Sequence, residues 1–134
     1  MANTSIEDTS GISVALRAAL DRVDQFAGLA RDWDGEGAEP VSVASAERAK
    51  QFVSQVEREA NRRSLCWRSP FVAPTPDGEI DLSWDVQGYW AAVTITADRA
   101  GVGCSRQAPG DDPTYAVESW GDAIQVVLEA LRAS

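Results

Sequence analysis

The chain has 134 residues, of which 44% are hydrophobic and 25% charged, an ordinary globular balance in a length that buries a real core without disulfides or metals. Its net charge of −9 argues against general affinity for nucleic acid or anionic membrane, since both need a surplus of Lys and Arg, and it favours a partner with a basic surface. There is no histidine, which removes the commonest general base and the commonest transition-metal ligand.

Residues 1–9 are polar and are read as a flexible N-terminus. They carry no basic n-region and no apolar h-region, so no signal peptide is expected. Residues 10–134 are read as a single α+β domain. From Ser10 a helical period begins. Ile12, Leu16, Leu20, Val23, Phe26 and Ala30 fall on one stripe, while Arg17, Asp21, Arg22 and Asp24 face away. Gly35, Gly37 and Pro40 follow, so this helix is expected to stop near Arg31. A second helix is expected from Ser42, a good N-cap, to about Arg62–Arg63. Its apolar positions are Val43, Ala46, Ala49, Val53, Val56 and Ala60.

The period then changes. Pro70, Pro74 and Pro76 punctuate an extended stretch, and Pro76-Asp77-Gly78 is a turn signal. Ile80, Leu82 and Trp84 alternate with Asp81, Ser83 and Asp85, the pattern of a strand with one wet face. Gln87-Gly88 reads as a turn. In the next strand Tyr89, Ala91, Val93 and Ile95 share one face, and Trp90, Ala92, Thr94 and Thr96 the other. Asp98-Arg99-Ala100-Gly101 is the following turn, and Val102–Arg106 a short strand. Phe71–Ala73 adds an edge. Residues 107–113 are loop, and a closing helix is expected from about Thr114 to Leu131, with Val117, Trp120, Ile124, Val127 and Leu131 as its stripe. Asp111, Asp112 and Glu118 would then complement its N-terminal dipole. The expected fold is a two-layer α+β domain: two N-terminal helices, an antiparallel three- to four-stranded meander and a C-terminal helix.

The acidic connector Arg31-Asp32-Trp33-Asp34-Gly35-Glu36-Gly37-Ala38-Glu39-Pro40 is the most distinctive stretch. Asp32, Asp34, Glu36 and Gly37 fall where an EF-hand loop places its first side-chain ligands and its glycine. The pattern then breaks, with Glu39 at the apolar eighth position and Val43 in place of the bidentate Glu. Two readings stand side by side. In the structural one, Trp33 folds the connector onto the core with its N–H on a nearby carbonyl or acid, Gly35 and Gly37 supply positive φ, and Arg31 pairs with a connector acid. In the other, the connector is a recognition loop with Trp33 as its anchor.

The run Asp32-Trp33-Asp34-Gly35-Glu36-Gly37-Ala38-Glu39-Pro40 resembles the Trp-Asp-Gly-x-Gly-Ala-x-Pro stretch of a group of small uncharacterised bacterial proteins. These also carry a later Pro-Thr-Pro-Asp-Gly-x-Ile-x-Leu-x-Trp segment, here Pro74 to Trp84. The resemblance covers roughly residues 29–95. It implies a shared fold and surface, and it carries no assigned activity.

Few other residues offer chemistry. Cys66 and Cys104 have no metal-like spacing, and without His no cysteine hydrolase can be assembled. Asp81 with Asp85, or Asp32 with Asp34, are the paired carboxylates available for glycosidase-type work, in a chain with little room for a sugar cleft. Arg58, Arg62, Arg63 and Arg68 form the basic cluster. Trp90 is a candidate exposed aromatic on the sheet. No catalytic residue, metal ligand or cofactor is expected.

The leading expectation is therefore a non-catalytic, cytoplasmic, bacterial interaction module of the antitoxin, immunity or accessory-subunit type. It would mask a basic partner surface through Asp32, Trp33, Asp34, Glu36, Glu39 and Trp90. Two alternatives are a small-ligand or Ca²⁺-binding module using the 32–39 loop, and a self-associating subunit, a homodimer, that pairs through the outer sheet face. No direct contact with nucleic acid or membrane is expected.

Overall fold

A computed structural model describes residues 14–97 and 101–133. The 1–9 segment, the first positions of the helical period and most of the 98–101 turn lie outside the described residues. The elements are α1 (Val14–Ala27), α2 (Val43–Arg62), β1 (Phe71–Pro74), β2 (Ile80–Val86), β3 (Tyr89–Ile95), β4 (Gly101–Gln107), β5 (Thr114–Ser119) and α3 (Trp120–Leu131). The strands form one antiparallel meander in the order β1-β2-β3-β4-β5. The α+β architecture is as expected from the sequence, with five strands instead of three or four.

The extra strand corrects the closing helix. Residues Thr114–Ser119 pair with β4 from Arg106 to Gly101, and α3 begins only at Trp120, where the Ser119 side chain accepts from the Asp122 N–H. Thr114, Tyr115 and Val117 are β-branched or aromatic and suit a strand. Val117 belongs to this strand and is exposed, so it is not part of the helix stripe. Asp111 and Asp112 are consequently remote from the α3 N-terminus, and Asp122 is the acid in its first turn.

Period-two alternation decides which sheet face is covered. Paired residues in an antiparallel ladder lie on the same face. Val72, Leu82, Val93 and Cys104 form one cross-sheet row, with Ile80, Ile95, Trp84 and Ala91 beside it, and all are buried. The three helices pack on this face. α1 lies against β1 and α2, α2 against β2 and β3, and α3 over β2 to β5. The opposite face carries the row Phe71, Ser83, Ala92, Ser105 and Tyr115, with no helix on it. Tyr115 leans over Gly103, where a Cβ would come within 2.9 Å of its hydroxyl. The ring thus fills the space that the glycine leaves.

The helix ends follow their local chemistry. Ser42 caps α2 by accepting from the Ser45 N–H at 3.0 Å. At the other end, Leu65 N–H reaches the Ala60 carbonyl and Ser64 N–H the Asn61 carbonyl, with Ser64 at φ +57°, a Schellman closure that turns Leu65 back onto the core. Lys50 of α2 donates to Asp24 of α1 at 2.8 Å. Its ammonium is held above the usual lysine value by that bond first and by Glu47 next.

Two tryptophans bind the layers. Trp84 is buried, with its indole N–H donating to the Arg68 carbonyl at 2.9 Å. Trp120 is only half-buried. It meets Phe52 edge-on at 5.1 Å, carries the Arg48 guanidinium over its face at 5.0 Å, and donates its N–H to Gln55. Arg48 reaches on to the Thr96 carbonyl. Among the described residues no helix is long and apolar enough to cross a membrane.

Trp84→Ala removes the largest fully buried side chain and orphans the Arg68 carbonyl. We expect a loss of about 3–5 kcal/mol, read as a lower urea midpoint; a shift of under about 1 kcal/mol would mean that the helical layer does not rest on this ring.

Candidate functional site

The acidic connector is an ordered loop closed by its own side chains. Asp32 sits at φ +63°, and its N–H donates to the Ala38 carbonyl at 2.7 Å. One Asp32 carboxylate oxygen accepts from the Gly37 N–H at 2.5 Å. One Asp34 oxygen accepts from both Glu36 N–H and Ala38 N–H, at 2.8 and 3.1 Å. The Trp33 indole donates to the Glu39 carbonyl at 2.9 Å. Arg31 grips the Glu39 carboxylate with two bonds, at 3.0 and 2.8 Å. Gly35 and Gly37 have φ of +76° and +84°. The indole bond, the two positive-φ glycines and the Arg31 pair of the structural reading are present, whereas Trp33 is half-buried and is not among the residues packed on the core.

The closed loop then docks on the β1–β2 turn. Glu39 N–H donates to the Pro76 carbonyl at 2.8 Å, and Ser42 N–H to the Gly78 carbonyl at 3.1 Å. Gly78 has φ +83°, and a Cβ there would lie 2.7 Å from the Pro40 carbonyl oxygen, so only glycine fits. Ala38 and Val41 are buried beneath the contact. The two segments singled out together in the sequence, 32–40 and 74–84, are thus one structural unit. The Asp32 and Asp34 carboxylates point at main-chain amides, and that of Glu39 at Arg31. Among the described residues no group of three His, Cys, Asp or Glu is arranged to hold a metal ion.

Trp90 lies elsewhere. It pairs with Asp85 and Gln107 at the far end of β2 and β3, about 17 Å along the strands from Ile80 and the connector's dock at a rise of about 3.4 Å per residue. Of the expected partner-binding residues, Asp32, Trp33, Asp34, Glu36 and Glu39 are brought together by the connector, and Trp90 is not with them. Glu36 alone of the connector acids has a side chain without a polar contact among the described residues.

Around Trp90 the structure opens a cleft of about 450 Å³. It is lined by Tyr89 and Trp90 of β3, Arg106 and Gln107 at the end of β4, and Val126 and Ala130 of α3. Ladder alternation puts Tyr89 and Arg106 on the helical side and Trp90 and Gln107 on the other, so the cleft wraps the strand ends. Asp111, Asp112 and Glu129 line it as well. The 108–113 loop is held by Gln107, whose amide donates to the Asp111 carbonyl at 2.7 Å, and by Asp111 N–H on the Ala108 carbonyl. Pro109 packs 3.2 Å from where a Cβ on Gly88 would be, which ties this loop to the β2–β3 turn. The sequence reading missed Tyr89, Asp111, Asp112 and Glu129 as a group. The one available signal was a pair of acids in a proline-bounded loop just after a strand.

Several of the remaining candidates have structural uses. Arg62 and Arg63 both reach Glu59, at 2.5 and 3.7 Å, and the Arg62 hydrogen bond holds the Glu59 carboxyl below its usual value. Arg63 also donates to Gln125. Asp81 accepts from Thr94 at 2.6 Å and is four residues from Asp85 on the same strand. That is a separation of about 13 Å, wider than the roughly 9.5 Å limit of glycosidase acid pairs. Cys66 is exposed and Cys104 buried, both free. Comparison with protein-family models, curated proteins and solved structures returns no match.

Two outcomes follow from these contacts. Asp34→Ala should cost about 1 kcal/mol by freeing two loop amides, whereas Glu36→Ala should stay within about 0.5 kcal/mol of wild type. Equal losses in paired urea melts would show that the carboxylates act only as surface charge. The second concerns Cys104, whose thiol is pushed up from 9.0 to about 11 by burial, with Glu118 adding. The unfolded chain releases this proton first, so the thiol's contribution to stability is full below pH 9.0 and is lost as pH rises through about 11. Cys104→Ala should flatten that alkaline fall in a melt series, and an unchanged series would place its cause elsewhere.

Proposed function

We infer that this chain is a non-catalytic, cytoplasmic protein-binding module whose cleft takes a basic segment of a partner protein and covers it, in the manner of an antitoxin, an immunity protein or an accessory subunit. The observation that carries this reading is a cleft at the strand ends lined by Asp111, Asp112 and Glu129 together with Tyr89 on its helical side and Trp90 on its outer side. Aromatic faces next to carboxylates suit an arginine or lysine side chain, which gains a cation–π contact and an ion pair together. Val126 and Ala130 in the lining give an apolar contact for the aliphatic stem of such a side chain. Three carboxylates against the single Arg106 guanidinium leave the cleft acidic, and a net charge of −9 steers a cationic segment towards it. In this reading the 32–40 connector is scaffold, with Glu36 as its one free contact for the partner.

The test uses an arginine-rich peptide, titrated calorimetrically at low and at high salt. Trp90→Ala should weaken binding by about tenfold or more, as loss of a central aromatic anchor does. Asp111→Asn with Asp112→Asn should both weaken binding and reduce its salt dependence. Asp34→Asn should leave affinity unchanged. Peptide binding that ignores both cleft variants, or that follows Asp34 instead, would overturn the cleft as the binding surface.

A further inference from the structure

The two edges of the sheet are not alike. β1 is four residues long, ends in Pro74 and follows Pro70, and short strands with prolines are the usual guard of a sheet edge. β5 is six residues long, has no proline and no basic residue, and is exposed at five of its six positions. Tyr115 is 67% and Val117 61% exposed. Ala116 faces the helical side yet is also exposed, so α3 leaves the middle of this strand uncovered.

Ladder alternation fixes which main-chain groups are open. Gln87 and Gly88 both have positive φ, the mark of a two-residue turn that closes on a hydrogen-bonded pair, here Val86–Tyr89. Counting outward through β3 and β4, Thr114, Ala116 and Glu118 bond to β4. The N–H and C=O groups of Tyr115, Val117 and Ser119 turn to the free side.

We propose that β5 is a homodimer seam: a second copy adds its own β5 antiparallel, with Ala116 on the two-fold axis, to give one continuous sheet. The register follows from charge and shape. With Ala116 opposite Ala116 of the second copy, Tyr115 of one chain faces Val117 of the other, twice by symmetry. Aromatic opposite β-branched is a favourable cross-strand pair. The same register sets each Glu118 against a Thr114 hydroxyl. Moving the axis to Val117 would instead set Glu118 against Ala116 and Tyr115 against Ser119, and an axis at Glu118 would bring two carboxylates face to face. The Ala116 register alone pairs large with branched and keeps the acids of two strongly negative chains apart. It uses the open groups of Tyr115 and Val117 for main-chain bonds. The proposal does not rest on the basic-segment reading: Trp90, Asp111, Asp112 and Glu129 stay outside the seam, and Thr114 is the lining residue the two surfaces share.

The experiment is sedimentation equilibrium of the full chain with two sets of variants. Wild type should show a species of twice the 14.4 kDa chain mass that grows with concentration. Val117→Lys places a charge on an exposed edge position and should raise the dimer dissociation constant by about tenfold or more, with an unchanged thermal melt at low concentration. Ala116→Cys in a Cys66→Ser, Cys104→Ala background, which removes the thiol that faces residue 116 across β4, should form a disulfide-linked dimer on mild oxidation, because residues at a non-hydrogen-bonded dyad pair lie about 4.5 Å apart at Cα. Thr114→Cys in the same background should not. A chain that stays monomeric at all concentrations, a dimer that ignores Val117→Lys, or cross-linking at Thr114 in place of Ala116 would each overturn the proposal.

Discussion

Burial of one sheet face under three helices is the constraint from which the rest of the molecule follows. The alternating residues of β2 and β3 can satisfy only one covered face, and α1, α2 and α3 all lie on it. Trp84 and the Val93 row fill the layer between. The other face is left to small and polar residues such as Ser83, Thr94 and Ser105, with aromatic rings only towards its edges. Because helices cover one side alone, the open features fall at the rim: the strand end beside Trp90, and the outer edge of β5. Both surfaces to which a function is assigned here are products of that lopsided packing.

The acidic connector shows how charge can serve architecture. A loop between two helices must satisfy its main-chain amides without a ladder. Asp32 and Asp34 do so by folding back on Gly37, Glu36 and Ala38. Glu39 neutralises Arg31 in a bidentate pair. The dock at Gly78 then joins the first helical pair to the sheet. Negative charge that looks directed outward in one dimension is directed inward in three. The free carboxylates of the cleft, Asp111, Asp112 and Glu129, come from a plainer loop and from a helix face.

Legibility in the sequence tracked how local the determining physics was. Residues 80–95 were readable because one face is wet, so apolar and polar positions alternate without ambiguity. Ser42 announced α2, and Trp33 with Gly35 and Gly37 announced a closed loop. β5 was not readable, because Val117, Trp120 and Ile124 keep helical spacing across a boundary that only the Ser119 cap marks. Ser119 followed by Asp122 is the local signal of the boundary. The dock of residue 40 on residue 78 depends on a missing side chain rather than a present one, and patterns of residues do not record that. The cleft is assembled from β3, β4, a loop and α3, four stretches with nothing in common along the chain.

Lys50 is the only lysine in the chain, and it bridges α2 to Asp24 of α1 while also meeting Glu47. The sole side-chain amine therefore sits at the joint between the first two helices, paired with two carboxylates. Any acylating reagent or enzyme that modifies side-chain amines finds this one target. The molecule thus carries a single-site chemical label at that joint, and acetylation there would remove the positive charge that meets Asp24 across it.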